Sequence, residues 1–264
     1  MRILAAIDNS LAARPVLETA IELGRSLDAS VEAVHAKENG AETARSLAER
    51  YGVALRLVSV APVQALIDAL DAEDVMLVVI GARGLPGGPR PAGHIALAIV
   101  ERATKPVVVV PPEASGPRPD GIRRVLVPVN GHPTSADATA RALRLLGRAG
   151  VTVETVHVFE RETTPFFLDR PERDLELWSE ELLARLFARP GTTLTLRTGE
   201  PGRVVVEEAE GRRVDMIALG WSQSFSEGHA RHVREILSRS TVPVLLLPVS
   251  VAADPERVDA TAFQ

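Results

Sequence analysis

A chain of 264 residues is long enough for two ordinary domains, and 45% hydrophobic with 25% charged residues is typical of a globular protein. A net charge of −5 and an aromatic content of 3% argue against a nucleic-acid-binding surface, which needs basic residues for phosphates and rings for bases. The lack of cysteine excludes disulfides and thiolate metal sites. With no long apolar segment and no signal-peptide core, we expect a cytoplasmic protein that does not bind membranes.

The first part of the chain alternates between β-branched apolar runs and segments with helical spacing. Predicted strands cover 3–7, 31–35, 54–60, 75–80 and 107–110. Four helices are predicted between these strands. The first ends near Leu27, the next two cover 41–51 and 63–70, and the last runs from His94 to a point before Pro106. Asn9 or Ser10 is placed to cap the first helix. Such alternation predicts a parallel sheet with helices on both faces.

The segment from Val75 to Val110 combines a buried strand, a glycine-rich loop, a helix and a second strand. Its loop follows the carboxyl end of the first strand, where open α/β sheets bind their ligands. Backbone N–H groups of such a loop can hold an anion at a helix N-terminus. The alternative is that the glycines only form a tight, exposed turn.

The second half of the chain repeats the first. Arg2–Asp8 matches Arg124–Asn130, Val31–His35 matches Val153–His157, and the valine-rich strand before Pro111 has a counterpart before Pro248. An insertion lengthens the second copy between His157 and Glu200. We therefore predict domains at 1–112 and 122–249, a linker at 113–121 and a tail at 250–264.

Two apolar strands, Val107–Val110 and Val244–Leu247, are candidates for joining the domains by edge pairing. The alternative is that both are interior strands.

These repeated features resemble the universal stress protein family in its tandem two-domain form. The first strand runs into Asp8 or Asn130, the second ends in Val-x-x-Val-His, and a glycine loop precedes the last helix and strand. The resemblance implies two open five-stranded parallel sheets of the adenine-nucleotide alpha-hydrolase-like class. It also implies an intramolecular pseudo-dimer, and it leaves open whether such chains pair again as a homodimer.

ATP-binding members of this family carry Gly, two residues, Gly, nine residues, Gly and then Ser or Thr. The first repeat is one residue short of this pattern, and a histidine replaces the hydroxyl residue. The aspartate before the first helix takes the position that the family places near adenine and ribose, with a strand-end carboxylate or cap as the alternative. The resemblance thus gives a candidate ATP site at Asp8, Gly81, Arg83, Gly84, Gly93 and His94.

The second repeat departs further from the pattern. Asn130 replaces the aspartate, Gly220 is not followed by a second glycine, and Glu227 beside Gly228 would repel a phosphate. The equivalent but degenerate cleft is formed by Asn130, Gly220, Gly228 and His229. We expect this repeat to be structural or to hold a different ligand.

Histidines recur at equivalent positions, His35 with His157 and His94 with His229, which raises a metal or pH-sensing role. Only His229 and His232 have helix-ligand spacing, and two ligands are too few for zinc, so we predict no metal.

Nucleophile motifs, catalytic cysteines and complete phosphate loops are absent from the sequence. We therefore expect a non-catalytic stress-response protein that binds a small ligand or a partner protein. The alternatives are an ATP-binding switch, with slow hydrolysis, and an ATP-using enzyme.

Overall fold

The computed structural model of the chain describes residues 1–36, 40–59, 61–82, 94–114, 121–129, 140–142, 144–146, 150–160, 194–221 and 229–249. The strands are β1 (Arg2–Ala6), β2 (Ser30–Ala36), β3 (Ala54–Val58), β4 (Val75–Gly81), β5 (Val107–Val110), β6 (Arg124–Val129), β7 (Thr152–Phe159), β8 (Leu194–Thr198), β9 (Met216–Trp221) and β10 (Val244–Pro248). The helices are α1 (Ala13–Leu27), α2 (Glu42–Tyr51), α3 (Pro62–Leu70), α4 (His94–Arg102), α5 (Pro201–Gly211) and α6 (His229–Arg239). Residues 140–142 and 144–146 are also helical. In this part of the chain no helix is long and apolar enough to cross a membrane.

All ten strands belong to one sheet, in the order β3-β2-β1-β4-β5-β10-β9-β6-β7-β8. Neighbours within each half are parallel, as the alternation of strands and helices predicted. The halves meet where β5 and β10 pair antiparallel, with Val108 opposite Leu245. The edge pairing expected of these two strands is therefore present, and it makes both of them interior strands of the joined sheet.

Side chains at this junction alternate between two apolar cores. Val107 and Val109 contribute to one core and Val108 and Val110 to the other, because successive strand residues point to opposite faces. All four are at most 2% exposed. Burial on both faces explains why the strand is a continuous run of valines instead of an alternating pattern.

Helices cover both faces of the sheet. One core contains residues of α3, α4, α5 and α6, so the last two helices of each half lie on the same face. The other core contains residues of α1, α2 and the helical segment near Leu146. Each core includes residues from both halves of the chain, and the halves therefore share their apolar interior.

The start of α1 differs from the prediction. Its N-cap residue is Ala12, which makes no side-chain cap bond, so neither Asn9 nor Ser10 is the N-cap. The Asn9 Oδ1 atom instead accepts a hydrogen bond from the Ala44 N–H in the first turn of α2, at 3.2 Å. The capping chemistry expected of asparagine is present, but it serves the neighbouring helix.

Ion pairs link three strands of the second half to α5. Glu154 on β7 accepts from Arg124 at 2.6 Å and from Arg212 at 3.0 Å. Arg212 also pairs with Glu208 at 2.6 Å, and Arg197 pairs with the same carboxylate. Burial alone would raise the pKa of Glu154 and of Glu208, but the arginine hydrogen bonds outweigh it and lower both pKa values.

Replacing Arg212 with alanine is expected to lower the free energy of unfolding at pH 7 by about 1–3 kcal/mol, because two partly buried carboxylates lose a charged donor. Glu154 and Glu208 have pKa values below the ordinary 4.5, so their ion pairs stabilise the fold above that pH. This contribution is lost as the pH falls through the lower values of the folded state. Urea unfolding at pH 7 and at about pH 3.5 measures both effects, and the deficit of the variant should shrink in acid.

Arg203→Ala is the matched control. Arg203 pairs with Glu207 on the same helix, but both side chains are more than half exposed. Its removal should change the free energy of unfolding by no more than about 0.5 kcal/mol. If Arg212→Ala and Arg203→Ala lower the free energy of unfolding equally, the ion pairs of Arg212 do not stabilise the fold more than an exposed pair does.

Candidate functional site

The order of the strands places a crevice between β1 and β4. The chain leaves β1 toward β2 and β3 on one side and returns to the other side at β4. At such a switch point the connections after the two strands diverge, which leaves room for a ligand beyond their carboxyl ends. Asp8 follows β1, and Gly81 ends β4. The structure therefore brings these two predicted site residues to the same edge of the first half.

Asp8 is exposed and held in a local turn. Its Oδ1 atom accepts hydrogen bonds from the Ser10 N–H at 2.9 Å and from the Ser10 hydroxyl at 2.6 Å. The Ser10 hydroxyl in turn accepts from the Ala12 N–H at 3.2 Å. Both bonds to the carboxylate use the same oxygen, which orients the group without burying its charge. An oriented, solvated carboxylate suits recognition of hydroxyl or amino groups on a ligand.

Gly81 has a packing role. A Cβ atom at this position would lie 3.3 Å from the Val16 Cγ2 atom of α1, so glycine lets the helix approach the end of β4 closely. Val16 is 1% exposed and has little freedom to move away. This glycine of the loop pattern is thus explained by helix–strand packing, independently of any phosphate.

His35 ties the crevice to α2. On its ring, Nδ1 lies 2.9 Å from the Ile7 carbonyl oxygen, and Nε2 lies 2.9 Å from the Gly40 carbonyl oxygen. The Asn9 side-chain amide also donates to the Gly40 carbonyl, at 3.4 Å. Gly40 has a φ of +85°, a backbone conformation that side chains other than glycine rarely adopt. The residues on both sides of Asp8 are therefore fixed to the start of the next helix.

The remaining predicted residues of this site are only partly described. Arg83, Gly84 and Gly93 lie outside the described residues. His94 is the first residue of α4, as the change of apolar spacing predicted. The backbone at His94 therefore belongs to a helix N-terminus, which favours negative charge.

The corresponding edge of the second half contains a bulky side chain. Trp221 ends β9 directly after Gly220 and is 1% exposed. Its indole N–H donates to the Val100 carbonyl of α4 at 2.9 Å. Val100 is in the last turn of its helix, where carbonyl groups lack helical partners. The sequence patterns did not predict this contact. The only signal was the difference in size between Trp221 and Ala82, which is the equivalent residue of the first repeat.

Charged groups also pair at this second edge. Glu160 follows β7 and lies 3.0 Å from the His232 Nε2 atom, and Glu200 pairs with Arg231. On the same helix as His232, Glu235 pairs with Arg239 at 3.2 Å. The described residues contain no group of three metal-ligating side chains. Asn130, Gly228 and residues 161–193, which include most of the predicted insertion, lie outside the described residues. His229 is the first residue of α6.

Comparison with protein families identifies the fold. The model of the universal stress protein family matches residues 41–111 and again residues 121–248. The chain belongs to the universal stress protein family. Two successive matches agree with the internal repeat and with the tandem form that the sequence resembles.

Solved structures share this architecture over most of the chain. A universal stress protein from Archaeoglobus fulgidus DSM 4304 is 17% identical, with a TM-score of 0.61, and the match covers 94% of this chain and 98% of that one. A protein of unknown function from Pseudomonas aeruginosa PAO1 is 15% identical, with a TM-score of 0.66 and coverage of 94% and 92%. At these identities the likeness establishes the fold alone. Comparison with curated protein sequences gave no match.

Proposed function

We propose that this universal stress protein is a non-catalytic, cytoplasmic stress-response protein that binds a small ligand in the crevice of its first repeat. Adenine nucleotides, ATP above all, are the leading candidates, since the family fingerprint is retained in part at Gly81, Gly84 and Gly93. The single observation that carries the proposal is the exposed and oriented carboxylate of Asp8 at the switch point.

The contrast between the two repeats supports an unequal division of roles. In the first repeat, the residue after the β4 glycine is the small Ala82, and the neighbouring carboxylate is exposed. In the second repeat, the corresponding residue is Trp221, which is buried against α4. At that edge Arg231 already pairs with Glu200, so its positive charge is compensated within the protein and attracts phosphates less. We infer that the second repeat supports the first within an intramolecular pseudo-dimer.

Calorimetric titration of the nucleotide-stripped protein with ATP and Mg²⁺ tests the proposal. We expect one site per chain, and we expect Asp8→Ala to weaken binding by about tenfold to 100-fold, because a hydrogen bond to a charged group is lost. Gly84→Glu should abolish binding by placing a carboxylate in the loop. Asp68→Ala, which removes an exposed acid from α3, is the matched control and should bind as the wild type does.

A nucleotide-free interaction protein is the second candidate. The shortened loop and its histidine at position 94 favour it, because both depart from the ATP-binding pattern. Absence of saturable heat with ATP in the wild type would reject the nucleotide proposal and support this alternative.

A further inference from the structure

We propose that His35 is held in the fold as an imidazolium ion and forms a pH-sensitive link between the end of β1 and the start of α2. The geometry of the ring carries this inference. Both ring nitrogens lie 2.9 Å from backbone carbonyl oxygens, one of Ile7 and one of Gly40. Carbonyl oxygens only accept hydrogen bonds, and a neutral imidazole has a single N–H to donate. The ring satisfies both contacts only when each nitrogen bears a proton.

Burial makes the requirement strict. His35 is 5% exposed, so a lone pair on either ring nitrogen that faced a carbonyl oxygen would be repelled with little compensation from water. A buried cation is costly unless its hydrogen bonds are complete. Here both N–H groups have an acceptor, and charge-assisted bonds of this kind are stronger than neutral ones.

The charged groups near the two carbonyls are compatible with a cation. Asp8 follows Ile7, and Glu42 lies two residues after Gly40, where its carboxylate accepts from the Ala41 N–H at 3.1 Å. On α1, Arg14 and Glu18 pair with each other at 2.8 Å. On the neighbouring strand, the residue opposite His35 is Leu57, which is apolar. Within the described residues the flanking charges are thus acidic or already paired.

The consequence of losing one proton is local. A neutral ring keeps one of the two carbonyl bonds, and the tie between β1 and Gly40 is weakened. The Asn9 side-chain amide donates to the same Gly40 carbonyl, and the Asn9 Oδ1 atom accepts from the Ala44 N–H of α2. The first turn of α2 therefore depends on this link. The link is complete only while both ring nitrogens of His35 bear a proton.

Equivalent contacts in the second repeat provide a control. The His157 Nδ1 atom lies 2.7 Å from the Val129 carbonyl oxygen, and this contact corresponds to the one between His35 Nδ1 and the Ile7 carbonyl oxygen. The His157 ring also packs edge-on against Phe159, with 4.4 Å between ring centroids. Replacing His157 with asparagine should disturb the second repeat and leave the start of α2 unchanged.

The test combines ring spectra with amide exchange from about pH 5 to about pH 8. Nitrogen-15 spectra of the wild-type ring should show two protonated nitrogens at the acid end. Protection of the Ala44 amide, corrected for intrinsic exchange, should fall about tenfold toward the alkaline end, while the Val204 amide of α5 keeps its protection. The His35→Asn variant should show no such fall in the protection of the Ala44 amide, and the His157→Asn variant should show the same fall as the wild type.

The proposal is wrong if the spectra show a single protonated nitrogen on the His35 ring at every pH measured. This result is obtained from the wild-type protein alone. The proposal is also wrong if the protection of the Ala44 amide does not change with pH in the wild type, or if it changes in the same way in His35→Asn. Neither readout requires a bound ligand, so the result does not depend on whether ATP binds.

Discussion

Replacing Trp221 with alanine is expected to lower the free energy of unfolding by about 3–5 kcal/mol. The indole is 1% exposed in the core shared by both halves, so its removal leaves a cavity that the neighbouring side chains fill only in part. The Val100 carbonyl also loses its hydrogen bond from the indole, which leaves a buried acceptor unsatisfied. Denaturant unfolding followed by far-ultraviolet circular dichroism measures the change.

Two variants separate the contributions to this loss. Trp221→Phe keeps much of the ring and removes the donor, so it should cost about 1–3 kcal/mol. Leu11→Ala is the control for loss of apolar volume, since Leu11 is 97% exposed and should change stability by less than about 0.5 kcal/mol. A Trp221→Ala protein as stable as the Leu11 variant would show that the indole does not hold the halves together.

Val108→Asp is expected to destabilise the chain by at least about 3–5 kcal/mol, because it introduces an uncompensated charge at the junction of the halves. Val108 is 0% exposed and opposite Leu245 in the antiparallel pair. Loss of the pair would uncover two apolar strand edges, so we expect association of chains as well as unfolding. Unfolding curves together with light scattering measure both effects.

Thr198→Asp provides the comparison for that experiment. Thr198 ends the edge strand β8 and is exposed, so an added carboxylate there remains solvated. It should alter stability by less than about 0.5 kcal/mol. Similar behaviour of the two aspartate variants would contradict the importance of the β5–β10 pair.

Patterns that depend on neighbours in sequence predicted most of the fold. The valine run at 107–110 indicated a strand buried on both sides, and the repeat indicated that β10 would resemble it. Their pairing covers two apolar strand edges that would otherwise be exposed. The start of α4 at His94 was also readable, because the apolar spacing changes from strand to helix there.

Contacts between segments that are distant in the sequence could not be predicted from such patterns. Asn9 looked like the cap of the helix that follows it, but the end of β1 lies beside the start of α2, and the side chain bonds that helix instead. The second carbonyl partner of His35 depends on the same approach of Gly40. Gly81 suited a phosphate loop by its spacing, whereas its neighbour Val16 explains it by packing.

The antiparallel junction determines how the two crevices are related. Because β5 and β10 run in opposite directions, the carboxyl ends of the two sets of strands lie at opposite edges of the sheet. Two ligands on one chain would never meet, and any communication between them has to cross the protein. Helix α4 begins at the first crevice and ends near Trp221 of the second, so a movement along its axis would reach both.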